Sequence, residues 1–238
     1  MISNYSEMMK WLASAFFVFL MIAASRSLRL RPLARLFSQK SVGAELATQL
    51  KQELEFEQQE PKDDTFITQF KKQGVWQINS QEGSKDVVFK RNFGAEKISV
   101  FVSTDALVEE TVDEDYEAEE QEEAEPIGVT ILIEKGDKGA LEIAATADSD
   151  AFFIDQVNHF DSCALAADQT SQADWQRRGT YGGPEFNVLD PAIVETFHKY
   201  LEERGFNSEF ANFIPQYLEQ KEESEYKRWL KKVEKFVV

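Results

Sequence analysis

Between Glu109 and Glu125, eleven of seventeen residues are carboxylic acids and none is lysine or arginine. The acids are Glu109, Glu110, Asp113, Glu114, Asp115, Glu117, Glu119, Glu120, Glu122, Glu123 and Glu125. Like charges at this density repel, and the tract has few apolar groups to bury. It cannot sit in a core or a regular sheet, so it reads as a disordered loop. Whatever fold the chain adopts is built from the segments on either side.

The remainder has enough apolar material for that. The chain has 238 residues, 42% hydrophobic and 12% aromatic, which suits one domain plus a leader. Its 43 acids against 26 bases give a net charge of −17. That balance disfavours direct contact with phosphate backbones and favours cationic partners. A lone cysteine, Cys163, excludes an internal disulfide framework and a multi-cysteine metal site.

Residues 1–37 differ in texture. They hold one acid, Glu7, against Lys10, Arg26, Arg29, Arg31 and Arg35. The arginine-rich, acid-poor stretch reads as a mitochondrial transit peptide, with a matrix-protease site at Arg35-Leu36-Phe37-Ser38. Met21 is a second candidate start. The apolar run Trp11 to Ala24 is short for a bilayer span and also fits a secretory h-region, which keeps secretion or a membrane anchor open. Loss of residues 1–37 removes a net four positive charges and takes −17 to −21. The expected organisation is a presequence over 1–37 and one domain over 38–238. The expected location is the mitochondrial matrix, without stable membrane insertion.

Residues 41–58 read as a helix with Leu46, Leu50 and Leu54 on one face, capped by Ser41, blocked by Pro61 and docked on a sheet. From about 65 to 160 the periodicity is that of strands: Thr65–Phe70, Val75–Asn79, Val87–Arg91, Ile98–Thr104, Ile127–Glu134, Ala140–Ala145 and Ala151–His159. Turns at Glu82-Gly83-Ser84, Asn92-Phe93-Gly94 and Lys135 to Gly139 make the neighbours antiparallel. Residues 161–179 read as irregular. Two helices close the chain. One opens at Asp190-Pro191 and stops at Gly205. The other opens near Asn207-Ser208 and carries a stripe from Phe210 and Phe213 to Trp229, Leu230, Val233 and Phe236, read as core or subunit interface. Pro215 predicts a kink or a late start.

Chemistry is sparsely supplied. Asp113, Asp115 and Glu117 have the spacing that opens an EF-hand, but Ala118 and Ala124 stand where Gly and Glu are required. His159 and Cys163 permit a thiol–imidazole hydrolase, yet no nucleophile elbow accompanies them. No phosphate loop or dinucleotide fingerprint is present, and no catalytic residue, cofactor or metal is expected. Direct RNA recognition is the other alternative. It needs a basic groove with stacking aromatics, which this composition does not offer.

The strings Tyr181-Gly182-Gly183-Pro184, Tyr200-Leu201-Glu202-Glu203-Arg204-Gly205 and Lys221-Glu222-Glu223-Ser224-Glu225-Tyr226-Lys227-Arg228-Trp229-Leu230 resemble the p32/MAM33 (gC1q-receptor) family of mitochondrial acidic proteins. The resemblance covers residues 41–238 in layout, and its specific motifs lie in 181–237. It implies an α+β fold: a twisted seven-stranded antiparallel sheet flanked by one N-terminal and two C-terminal helices, in a doughnut-shaped homotrimer. It also implies a non-enzymatic, chaperone-like adaptor for basic, RNA-binding or ribosomal proteins. Such an adaptor supports RNA processing, ribosome function or translation and touches RNA only indirectly. The acidic tract would be its partner-binding element.

Overall fold

The computed structural model describes residues 42–58, 64–107, 126–148 and 150–238. The presequence, Ser41, Pro61 and the acidic tract Glu109–Glu125 lie outside the described residues. Six α-helices and six strands are present among the described residues. The helices are α1 (Val42–Glu57), α2 (Thr65–Gln73), α3 (Cys163–Ala167), α4 (Ser171–Arg178), α5 (Pro191–Glu203) and α6 (Ser208–Val237). The strands are β1 (Gln77–Ser80), β2 (Asp86–Phe93), β3 (Glu96–Ser103), β4 (Ile127–Glu134), β5 (Ala140–Asp148) and β6 (Ala151–Phe160).

All six strands form one antiparallel meander in sequence order. Alternation along each strand puts Val87, Phe89, Ile98, Val100, Val102, Ile127, Val129, Ile131, Ile133 and Ile143 on one buried face. The first half of α6 packs on that face through Phe210, Phe213, Ile214 and Leu218, and α2 joins it with Ile67 and Phe70. Phe70 and Phe213 stack with ring centroids 3.9 Å apart, and Phe89 meets Phe210 edge-on at 5.5 Å. Burying a side chain of this size contributes about 2–3 kcal/mol, so this aromatic layer carries much of the stability.

The strand expected at Thr65–Phe70 is helix α2, so the sheet has six strands among the described residues rather than seven. The reason is spacing. Ile67 and Phe70 are three apart and both are buried, which a helix satisfies and a strand does not. Lys71 and Lys72 complement the helix C-terminus, and Gly74 ends it. Residues 161–179, expected to be irregular, hold α3 and α4, capped by the hydroxyls of Ser162 and Thr170. These helices cover the second face of the sheet, where Leu132, Ala140, Phe160 and Ala166 are buried together.

Helix α1 docks on α6, not on the sheet. Glu53 accepts from the Tyr226 hydroxyl at 3.1 Å and Lys51 pairs with Glu234 at 3.8 Å, so the two helices run antiparallel. Of the expected stripe on α1, Leu50 is buried and Leu46 is exposed. Helix α6 starts at Ser208, well ahead of Pro215, so the late start does not occur. Its cap is Asn207, whose Oδ1 accepts from the Phe210 N–H at 3.0 Å. The expected stripe divides: Phe210, Phe213, Ile214 and Leu230 are core, whereas Trp229 is 54% exposed and Phe236 is 89% exposed. The expected cap of α5 is in place, with Asp190 Oδ1 accepting from the Ala192 N–H at 2.8 Å.

Candidate functional site

The sequence places its candidate site, Glu109 to Glu125, in the connection between β3 and β4, the two central strands of the meander. After β3 the chain makes a 3-10 turn, Thr104–Leu107, and returns at Ile127. The β1–β2 turn lies at the same end of the sheet, and Lys85 pairs there with Asp105. The eleven acids themselves are outside the described residues. What the structure shows is the frame around them and the role of the strings that carry the family resemblance.

The string Tyr200 to Gly205 builds a buried ion pair. Arg204 caps α5 and turns back across the sheet. Its Nε and Nη2 donate to the Glu96 carboxylate at 2.7 and 3.0 Å, and its Nη1 donates to the Tyr200 carbonyl at 2.8 Å. The Arg204 and Glu96 side chains are 7% and 5% exposed. The guanidinium carbon lies 3.3 Å from the Tyr200 ring centroid, and Lys135 adds a third partner to Glu96 at 2.6 Å. These donors, Arg204 foremost, hold the Glu96 carboxyl at a pKa of about 2. Gly205 follows at φ 89°, and a Cβ there would meet Arg91 Nη1, which sits over Trp76.

The string Lys221 to Leu230 is a latch on the β1–β2 turn. Lys221 is 7% exposed on its side chain; its Nζ donates to the Gln81 carbonyl and to Glu225, both at 2.6 Å. Glu225 accepts from the Gly83 N–H at 2.9 Å and from Arg228 at 2.7 Å. Burial works against its charge, but the Lys221, Gly83 and Arg228 donors win and hold it at about 2. The polar residues Lys221 to Glu225, which interrupt the apolar stripe of α6, thus include a structural contact.

The string Tyr181 to Pro184 closes a cavity of about 500 Å³ on the second face of the sheet. Phe101, Thr130, Leu132, Ala144, Gln156 and Phe160 form its floor. Its wall is a polar network. Arg177 Nη1 donates to the Leu165 carbonyl at 3.0 Å and to the Asp168 carbonyl, and its Nε faces Glu142 at 3.7 Å. Asn158 Nδ2 donates to Glu142 at 3.2 Å, and Gln156 Nε2 donates to the Gly182 carbonyl at 3.3 Å. A Cβ on Gly182 would meet Asn158 Oδ1 and come within 2.7 Å of Gln156 Nε2, so a larger residue there must push both amides out of the wall. Sequence reasoning singled out Gly182 but missed the cavity, because its floor comes from four strands.

The thiol–imidazole pair is not assembled. His159 Nε2 lies 3.2 Å from the Lys138 carbonyl, while Cys163 Sγ donates to the Gly139 carbonyl at 3.1 Å. No hydrogen bond joins the two among the described residues. His198 packs edge-on against Phe186 at 6.0 Å. Among the described residues no group of His, Cys, Asp and Glu is placed to hold a metal ion, and no helix is long and apolar enough to cross a membrane.

Comparison with known proteins agrees with the fold and with the family resemblance. The model of the MAM33 family, described as mitochondrial glycoprotein, matches residues 50–237. The chain is 33% identical over 182 residues to the mitochondrial acidic protein mam33 of Schizosaccharomyces pombe, covering 68% of each chain. It is 30% identical over 165 residues to an uncharacterized mitochondrial protein of Arabidopsis thaliana, covering 68% of this chain and 62% of that one. Two solved structures share the fold at a TM-score of 0.65. One is a Leishmania major protein of unknown function described as a homologue of human p32, 20% identical, with 83% of this chain and 100% of that one covered. The other is the Trypanosoma brucei p22 protein, 25% identical, with 83% and 99% covered.

Proposed function

The chain belongs to the MAM33 family, and from that premise we propose that it is a non-enzymatic acidic adaptor of the mitochondrial matrix that holds basic proteins. The observation that carries this reading is the charge: −17 overall, with eleven acids concentrated in residues 109–125. A field of that sign steers cationic partners and makes their association salt-sensitive. The names of the relatives in yeast and plant, both mitochondrial, support the location, and residues 1–37 supply a transit peptide. The adaptor works as a homotrimer of mature chains, each at −21, and presents about −63 charges in all. The tract Glu109–Glu125 is the element that engages Arg and Lys of RNA-binding or ribosomal partners. Effects on RNA processing or translation pass through those partners.

The fixed frame supports a binding role in a second way. The strings that mark the family are spent on an ion pair, a latch and a cavity wall, so partner selection falls to the surface these contacts hold in place. Light scattering on a sizing column, with and without a basic RNA-binding protein, tests the reading. A trimer that captures the partner at about 0.1 M salt and releases it near 1 M, where the Debye length shrinks from ~10 to ~3 Å, supports it. A monomer indifferent to basic protein at either salt overturns it.

A further inference from the structure

We infer that the cavity beneath Gly182 is a docking pocket for a single arginine side chain presented by an extended basic segment of a partner. This rests on the adaptor reading and adds a specific site to it.

The pocket is a formed cavity of about 500 Å³, larger than one side chain and large enough for a side chain with its flanking backbone. Its two halves differ in chemistry. The floor offers Phe101, Leu132, Ala144 and Phe160, an apolar bed. The wall and rim offer the Glu142 and Asp174 carboxylates, the Thr130 hydroxyl and the Gln156 amide oxygen. Arginine has the same division, an apolar stem and a planar, weakly hydrated head.

The sign of the ligand follows from which groups are committed. Two guanidiniums line the pocket as well. Arg177 is 11% exposed on its side chain and donates to the Leu165 and Asp168 carbonyls. Arg178 pairs with Asp174 at 2.9 Å. Both therefore point at acceptors of their own. The Glu142 carboxylate receives only Asn158 Nδ2 at 3.2 Å and the distant Arg177 Nε at 3.7 Å, which leaves acceptor capacity. Acceptor capacity also remains at Asn158 Oδ1, which lines the pocket buried and without a hydrogen-bond partner among the described residues, and the field of a −17 chain repels anions from its mouth. Tyr181, 82% exposed at the rim, offers a ring face over which a guanidinium stacks. Lysine fits less well, because a compact ammonium neither forks nor stacks.

The test uses the full chain and two nine-residue probes, alternating arginine–glycine and lysine–glycine, at about 0.1 M salt. Ala144→Phe fills the floor without changing charge; Asp174→Asn removes one half-exposed carboxylate and guards against misfolding of the first variant. The wild type binds the arginine probe more tightly than the lysine probe. Ala144→Phe weakens the arginine probe about tenfold and erases that preference, and Asp174→Asn weakens it about threefold. Equal binding of both probes by the wild type, or full retention of affinity and preference in both variants, overturns the pocket while leaving the adaptor reading in place. Failure of the wild type to bind either probe overturns the adaptor reading and the pocket with it.

Discussion

Arg204 and Glu96, 108 residues apart in sequence, meet as a bidentate ion pair in the interior, with donor distances of 2.7 and 3.0 Å. Helix α5 ends on one partner and β3 begins on the other, so the pair ties the C-terminal helices to the centre of the sheet.

Breaking that pair from one side leaves a buried charge without its counterpart. Arg204→Met is expected to cost about 3–5 kcal/mol, and Arg204→Lys about 2 kcal/mol, because a point charge replaces a fork and the Tyr200 stack is lost. Urea unfolding midpoints of the two variants give the order. An Arg204→Met variant as stable as the wild type would remove the pair from the account.

Acid should unfold the protein through two carboxylates. Glu96 and Glu225 both titrate near 2 in the folded state, below the usual value of 4.5. The unfolded chain binds these protons first, so the stability they contribute is complete above about pH 4.5. It is lost as pH falls from about 4.5 towards 2. For Glu96 the contribution is on the order of 3 kcal/mol. Glu96→Gln should flatten the stability profile between pH 5 and 2, relative to the wild type, in chemical unfolding followed at steps of about one pH unit.

The latch makes a local prediction. Lys221→Met removes the donor to Gln81 and one partner of Glu225. The Gly83 amide, which donates to Glu225, should then exchange its hydrogen at least about tenfold faster, while amides in β3 and β4 keep their protection. Uniform acceleration across the sheet would show that Lys221 acts on global stability instead.

Two glycines are predicted to resist substitution for different reasons. Gly205→Ala combines a strained backbone at φ 89° with displacement of Arg91, at a cost of about 1–3 kcal/mol in thermal unfolding. Gly182→Ala strikes the amides of Asn158 and Gln156, so it should loosen the cavity wall and weaken the arginine probe while lowering the melting temperature less.

These residues also show how far the sequence could be read. Alternation located all six strands, with ends within three residues and both ends of Ile127–Glu134 in place, and Asp190-Pro191 marked α5, because period and cap chemistry are local. Helix α2 was hidden because Phe66, Ile67 and Phe70 belong to residue types that favour strands, and burial against α6 decided the matter. Helices α3 and α4, five and eight residues long, are too short to display a periodic face. The strings at Arg204, Lys221 and Gly182 could be recognised, but their partners lie far along the chain, Glu96 and Asn158 on strands and Gln81 in the β1–β2 turn. The tract at 109–125 is the reverse case: its chemistry is plain in the sequence, and its frame comes from β3 and β4.

The most direct measurement is the dissociation constant of the full chain for a basic protein as salt is raised, beside a variant with the eleven acids of 109–125 changed to their amides. The account predicts tight binding at about 0.1 M salt, steep weakening towards 1 M, and loss of most of that affinity and of its salt dependence in the variant. Equal affinity of the two proteins across the salt series would contradict it.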